Sequence, residues 1–117
     1  MTNTQGLPTT ETVGMVPGVK LLNGATVIGP GAWFKRTNLN SAFDATVTGT
    51  GTVTATVDIE VSLDGVTPID KSPLTITLSG TTSDTDGDVI SASWPWVRAN
   101  LTAISGTGAV VNSTMGG

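Results

Sequence analysis

The sequence predicts an all-β chain, an antiparallel β-sandwich or jelly-roll-like barrel of seven to nine short strands behind an extended N-terminal arm. Three observations carry this. Residues 46–64, TVTGTGTVTATVDIEVSLD, alternate with period two: Val47, Val53, Ala55, Val57, Ile59, Val61 and Leu63 fall on one face, and Thr, Asp58 and Glu60 on the other. β-branched residues in that pattern suit a pleated surface with one dry face and one wet face. Turn signals then recur every 8–12 residues or so along the chain, the spacing expected of a sandwich or barrel. No stretch repeats with a helical period.

In chain order, residues 1–18 carry three Gly and two Pro without a sustained period, and read as an arm. Its apolar side chains Leu7, Val13, Met15 and Val16 are candidates for contact with a neighbouring subunit; a frayed terminus is the other reading. The β-sandwich domain is expected to span residues 19–117. Asn23-Gly24 marks a hairpin of residues 19–22 with 25–28, and Gly29-Pro30-Gly31 ends it. Residues 32–37 form the next expected strand. Its consecutive aromatics Trp33 and Phe34 must face opposite sides, one toward the core and the other outward or toward a partner.

Residues 38–41 read as a loop with room for one helical turn. In the central stretch, Gly49-Thr50-Gly51 permits a turn or bulge between a first strand and a longer second one. Asp64-Gly65 closes the run, and residues 66–73 connect to a strand at 74–78 that Ser79-Gly80 ends. TTSDTDGD, residues 81–88, reads as a polar loop. Short strands follow at 89–94 and 96–104 with Pro95 between them. Ser105-Gly106-Thr107-Gly108 reads as a turn before the last strand, 109–115.

Composition narrows the function. The 117-residue chain has neither Cys nor His, which removes disulfides, thiolate metal sites and the commonest general base. With five Lys and Arg against nine Asp and Glu, and a net charge of −4, it lacks the basic footprint of a nucleic-acid binder. No apolar run approaches membrane-spanning length, and the polar start at Met1 does not read as a signal peptide, so synthesis in a cytoplasm is expected. No nucleophile–base pair is visible, no cofactor is expected, and the chain is not expected to be an enzyme.

Four features could carry chemistry. Asp84, Asp86 and Asp88 around Gly87 imitate the front of a calcium loop without its closing Glu, and a solvated turn is the preferred reading. Asp58 and Glu60 are neighbours on one strand face, whereas a glycosidase pair comes from separate elements flanking a cleft. Trp94, Trp96 and Arg98 share parity, and form one aromatic and guanidinium patch if Pro95 preserves the register; sugar stacking, a protein interface and core packing all remain open for it. Asn100-Leu-Thr102 and Asn112-Ser-Thr114 match the glycosylation sequon, which chance supplies readily in a Thr-rich chain.

Residues 43–116 also resemble a known group. Ser62-Leu63-Asp64-Gly65 after a long Val/Thr strand, then residues 74–80, then WVRANLTAISGTGA from Trp96, are similar to small virion structural proteins of tailed bacteriophages. The family turn often has Asn where Leu63 stands, and the first 42 residues carry no part of the resemblance. The resemblance implies a head decoration or cement protein on the capsid surface, with the major capsid protein as partner and a homo-oligomer, a trimer by preference. The alternatives are a tail or baseplate component, and a carbohydrate-binding or adhesin β-sandwich, which the aromatic-Val-Arg strand also resembles. A sugar binder should expose two or more Trp in one concave patch; a decoration protein should bury them and offer its arm and sheet edges.

Overall fold

The structure is a computed structural model and describes residues 18–36, 40–69, 73–91 and 94–116, the side chains of residues 40 and 91 excepted. The expected arm, with Leu7, Val13, Met15 and Val16, lies outside the described residues. The fold is all-β: among the described residues, six strands form one antiparallel sheet. They are β1 (Val19–Ala25), β2 (Gly29–Pro30), β3 (Phe34–Lys35), β4 (Asn40–Ser62), β5 (Leu74–Ser91) and β6 (Trp96–Gly116). The order is β1-β6-β4-β5, with β2 and β3 also bonded to β6.

Fewer, longer strands replace the seven to nine short ones expected. β4 runs for 23 residues, β5 for 18 and β6 for 21. Three segments read as turns or loops are strand, and of the two readings of Gly49-Thr50-Gly51 the bulge holds. Gly49–Gly51 is a bulge inside β4, since the β4–β5 ladder shifts between Thr48 and Thr52 and the β4–β6 ladder between Thr48 and Thr54. Ser79-Gly80 and TTSDTDGD belong to β5, and Ser105–Gly108 belongs to β6. Glycine's positive φ serves a bulge as well as a turn, and Gly51, Gly106 and Gly108 all use it.

These interruptions lie side by side across the three long strands. A straight 23-residue strand would measure about 75 Å at ~3.3 Å per residue, yet the longest dimension of the molecule is 49 Å, so the strands bend. Gly31 shows the consequence. Its N–H donates to Ala99 O at 2.8 Å, while a Cβ placed on it would stand 2.6 Å from Leu21 O and 3.3 Å from Leu22 Cδ2. Leu22 pairs with Ser113 of β6. On a straight strand, positions 99 and 113 of β6 would be about 46 Å apart; the bend brings their surroundings into contact.

The dry face of the 46–64 run is as expected, with one correction. Val47, Val53, Ala55, Val57, Ile59 and Val61 are all buried, joined by Ile76 and Leu78 of β5 and Val97, Ala99, Leu101 and Val111 of β6. Leu63, expected inward, is 71% exposed, because β4 ends at Ser62 and the alternation ends with it. The hairpin at Asn23-Gly24 is absent. β1 runs through both residues, and Gly24, at φ +70°, donates its N–H to Asn112 Oδ1. Beyond it Val27 and Ile28 are exposed. The strand expected at 32–37 is reduced to Phe34–Lys35, and the possible helical turn at 38–41 is outside the described residues except for the start of β4, where Ser41 lies.

The turn after β4 is held by side chains. The Ser62 hydroxyl lies 2.8 Å from Asp64 Oδ1 and 2.7 Å from Thr67 O, and accepts from the N–H groups of Asp64 and Gly65. Asp64 Oδ1 accepts from Val66 N and Thr67 N, both at 2.9 Å. The Thr67 and Val66 N–H groups, and then the Ser62 hydroxyl, hold the Asp64 carboxyl down to about 2. A depressed carboxylate contributes stability above its unfolded value, about 3.9, and loses it as pH falls through the folded value. Asp64→Ala should therefore show a shallower loss of stability between about pH 4 and pH 2 than the parent. Urea midpoints measured across that window test it, and parallel curves for the two proteins would count against this role.

Candidate functional site

Among the described residues, the outer face of the sheet carries one cluster of aromatic and charged side chains. Arg98 on β6 is directly opposite Glu60 on β4, and its Nε donates to Glu60 Oε1 at 2.6 Å. Asn100 Nδ2 donates to Glu60 Oε2 at 3.1 Å, so both carboxylate oxygens are engaged. On the other side, the Arg98 guanidinium lies over the Trp33 ring, 4.5 Å from its centroid. Trp33 sits just before β3, whose Phe34 pairs with Val97. The row Trp33, Arg98, Glu60 thus crosses from the β3 edge through β6 to β4. Ion pair and cation–π contact reinforce each other because both desolvate the same cation.

Trp96 and Arg98 share this face, as their parity predicts. Trp94 does not join them. It precedes β6, beyond Pro95, and packs half-buried against the core. Trp96 is covered differently: a Cβ on Gly65 would stand 2.9 Å from Trp96 Cδ2 and 3.0 Å from Cε2, so the 62–67 turn lies on the indole. Asp58, read with Glu60 as a possible pair, accepts instead from Thr75 Oγ1 at 2.9 Å. Phe34 turns toward the core while Trp33 takes the outer face, which is the division expected of consecutive aromatics.

Asp84, Asp86 and Asp88 stand on a strand, not in a loop. They follow one another along β5 opposite Val47, Ala45 and Phe43, so they occupy core-side positions on the outermost strand. The Asp86 and Asp88 carboxylates accept instead from the N–H groups of the residues that follow them, Gly87 and Val89, both at 2.8 Å, and Asp84 accepts from Ser79 N–H at 2.9 Å. Among the described residues no group of three His, Cys, Asp or Glu can hold a metal ion. The sequon residues Asn100 and Asn112 are both engaged within the chain, with Glu60 and Gly24.

Arg36 escaped the sequence reading. It is 7% exposed, and its guanidinium donates to Ser41 Oγ at 3.1 Å, Ile90 O at 3.3 Å and Trp94 O at 3.4 Å. Burial lowers its pKa, yet an arginine stays charged under ordinary conditions. Its only local signal was the Lys35-Arg36 pair, which looks like any exposed basic dipeptide.

The chain matches no protein-family model, no curated protein and no solved structure.

Proposed function

We propose that the chain is a structural, non-catalytic protein of a tailed-bacteriophage virion, a decoration or cement protein that binds the major capsid protein on the outside of the head as a homo-oligomer, by preference a trimer. The phage assignment rests on the resemblance of residues 43–116. The observation that supports an adhesive role is the 18-residue β5, which pairs with β4 on one side and, among the described residues, with nothing on the other. A strand edge that long is a template for another chain outside the positions where the Ser79, Gly87 and Val89 N–H groups donate to the Asp84, Asp86 and Asp88 carboxylates. On this reading the bent sheet is a sandwich made by one sheet folding on itself, a stiff plate that presents its edges.

The carbohydrate-binding alternative draws less support. Trp33 has one ring face under Arg98, and Trp96 is covered by the 62–67 turn, so the two do not form a shared open platform on which a sugar stacks.

Co-sedimentation with empty heads of the phage that encodes the chain tests the proposal. Saturable binding that raises the heating temperature at which the heads rupture is the expected result. Absence of binding to heads overturns it, and binding to purified tails instead moves the chain to the tail or baseplate.

A further inference from the structure

We propose that β5 carries its own guard against pairing with another copy of the chain. The carboxylates of Asp84, Asp86 and Asp88 fold over the outer side of the strand and occupy its backbone donors, so that β5 of a second copy finds none free there. This goes beyond the virion reading and does not depend on it.

The register decides which donors face outward. β5 ends the order β1-β6-β4-β5, so among the described residues every second N–H along it has no strand to meet. In an antiparallel ladder the N–H and C=O of one residue point to the same side, and a residue opposite one that faces away faces away itself. The Asp44 carbonyl turns toward β6, where it accepts from the Ser113 hydroxyl at 2.6 Å. Gly87, directly opposite Asp44, therefore turns its N–H outward, and so does Val89 two residues on.

Both outward groups are taken by the preceding side chain. Gly87 N–H donates to Asp86 Oδ1 and Val89 N–H to Asp88 Oδ1, each at 2.8 Å. On the far side of the register shift, Ser79 N–H donates to Asp84 Oδ2 at 2.9 Å. Asp86 and Asp88 start from the core side, opposite the buried Ala45 and Phe43, yet both are exposed. Curling back over the edge keeps their charges in water and uses the donors found there. Aspartate suits the task, because its short side chain reaches a neighbouring N–H and an ionised acceptor binds it more strongly than a neutral one.

Without the guard this edge would be adhesive. Val89 is 58% exposed, and its cross-strand neighbour Ala42 is exposed as well. A second β5 laid antiparallel beside the first would cover both and use the outward donors, in an isologous contact. With the guard in place, that strand must first break three charge-assisted hydrogen bonds and strip water from the carboxylates.

Sedimentation velocity of the full chain at about 100 μM, a concentration at which unpaired strand edges associate, is the test. The parent should hold one state, whatever its copy number, with and without about 0.5 M added salt, which screens charges beyond ~4 Å. Asp86→Ala/Asp88→Ala should shift to species of twice the parent's mass or more. Adding Val89→Pro to that variant should return it to the parent's state, because proline has no N–H to offer at the outward position and leaves the ladder to β4 intact. Circular dichroism checks each fold, and Asp88→Ala alone, which frees only the Val89 donor, repeats the test if the double variant does not fold. A folded variant that sediments as the parent does overturns the proposal. So does association that Val89→Pro leaves unchanged, since the contact then lies elsewhere. A parent that associates further once salt is added also overturns it, because repulsion between charges, and not occupied donors, would then be the guard.

Discussion

Val57→Asp should leave the chain largely unfolded at 25 °C, whereas Thr54→Asp on the same strand should fold like the parent. Val57 is 0% exposed, and its cross-strand neighbours on the dry face are Ile76 of β5 and Leu101 of β6. Nothing there can pair with a carboxylate. The group must either ionise without water or take up a proton, and the buried acid still lacks hydrogen-bond partners. With the loss of the valine's own packing, the cost is about 4 kcal/mol or more, a large share of the stability of a domain of this size. Thr54 points outward and is exposed, so a charge there stays in water and should change stability by about 0.5 kcal/mol at most. Urea unfolding followed by far-UV circular dichroism reads both. Equal midpoints would mean that the alternation is assigned to the wrong faces, since a one-residue slip exchanges every inward side chain for an outward one.

That contrast was legible in the sequence because it is local: alternation between Val47 and Val61 needs no knowledge of any partner strand. What was not legible depended on partners. Gly51, Gly106 and Gly108 announce a left-handed backbone, but whether the chain then reverses or continues as a bulged strand is decided by the neighbouring ladder. Asp84, Asp86, Gly87 and Asp88 belong to residue types depleted from strands, and an outermost strand tolerates them because its far side is open. The hairpin signal of Asn23-Gly24 lost to pairing with β6, where Asn112 supplies the acceptor for Gly24 N–H. In the outer-face cluster, the shared parity of Trp96 and Arg98 was readable. The Trp33–Arg98–Glu60 row was not, since it joins three strands whose register no local pattern fixes. Nor does any single stretch disclose that Lys20 and Gly87 end the same row.

Arg36→Ala should be the most damaging change of a charged residue, costing about 2–4 kcal/mol. The guanidinium reaches Ser41 at the start of β4, Ile90 near the end of β5 and the Trp94 carbonyl before β6. Its own N–H donates to Pro95 O at 2.7 Å. One planar group with donors on three nitrogens thus ties together the ends of separate strands. Truncation leaves the Ser41 hydroxyl, which is buried, and two carbonyls short of a donor, and it opens a void where the side chain packed. For a domain of this length the melting temperature should fall by roughly 8–16 °C. Arg36→Lys should recover little of this, because an ammonium is a point donor and cannot span the same three acceptors. Lys35→Ala, one residue away but exposed, should melt within about 2 °C of the parent, as surface changes usually do. Calorimetry on the three variants separates the roles: if Arg36→Ala melts with Lys35→Ala, the guanidinium is a surface charge that the fold does not need.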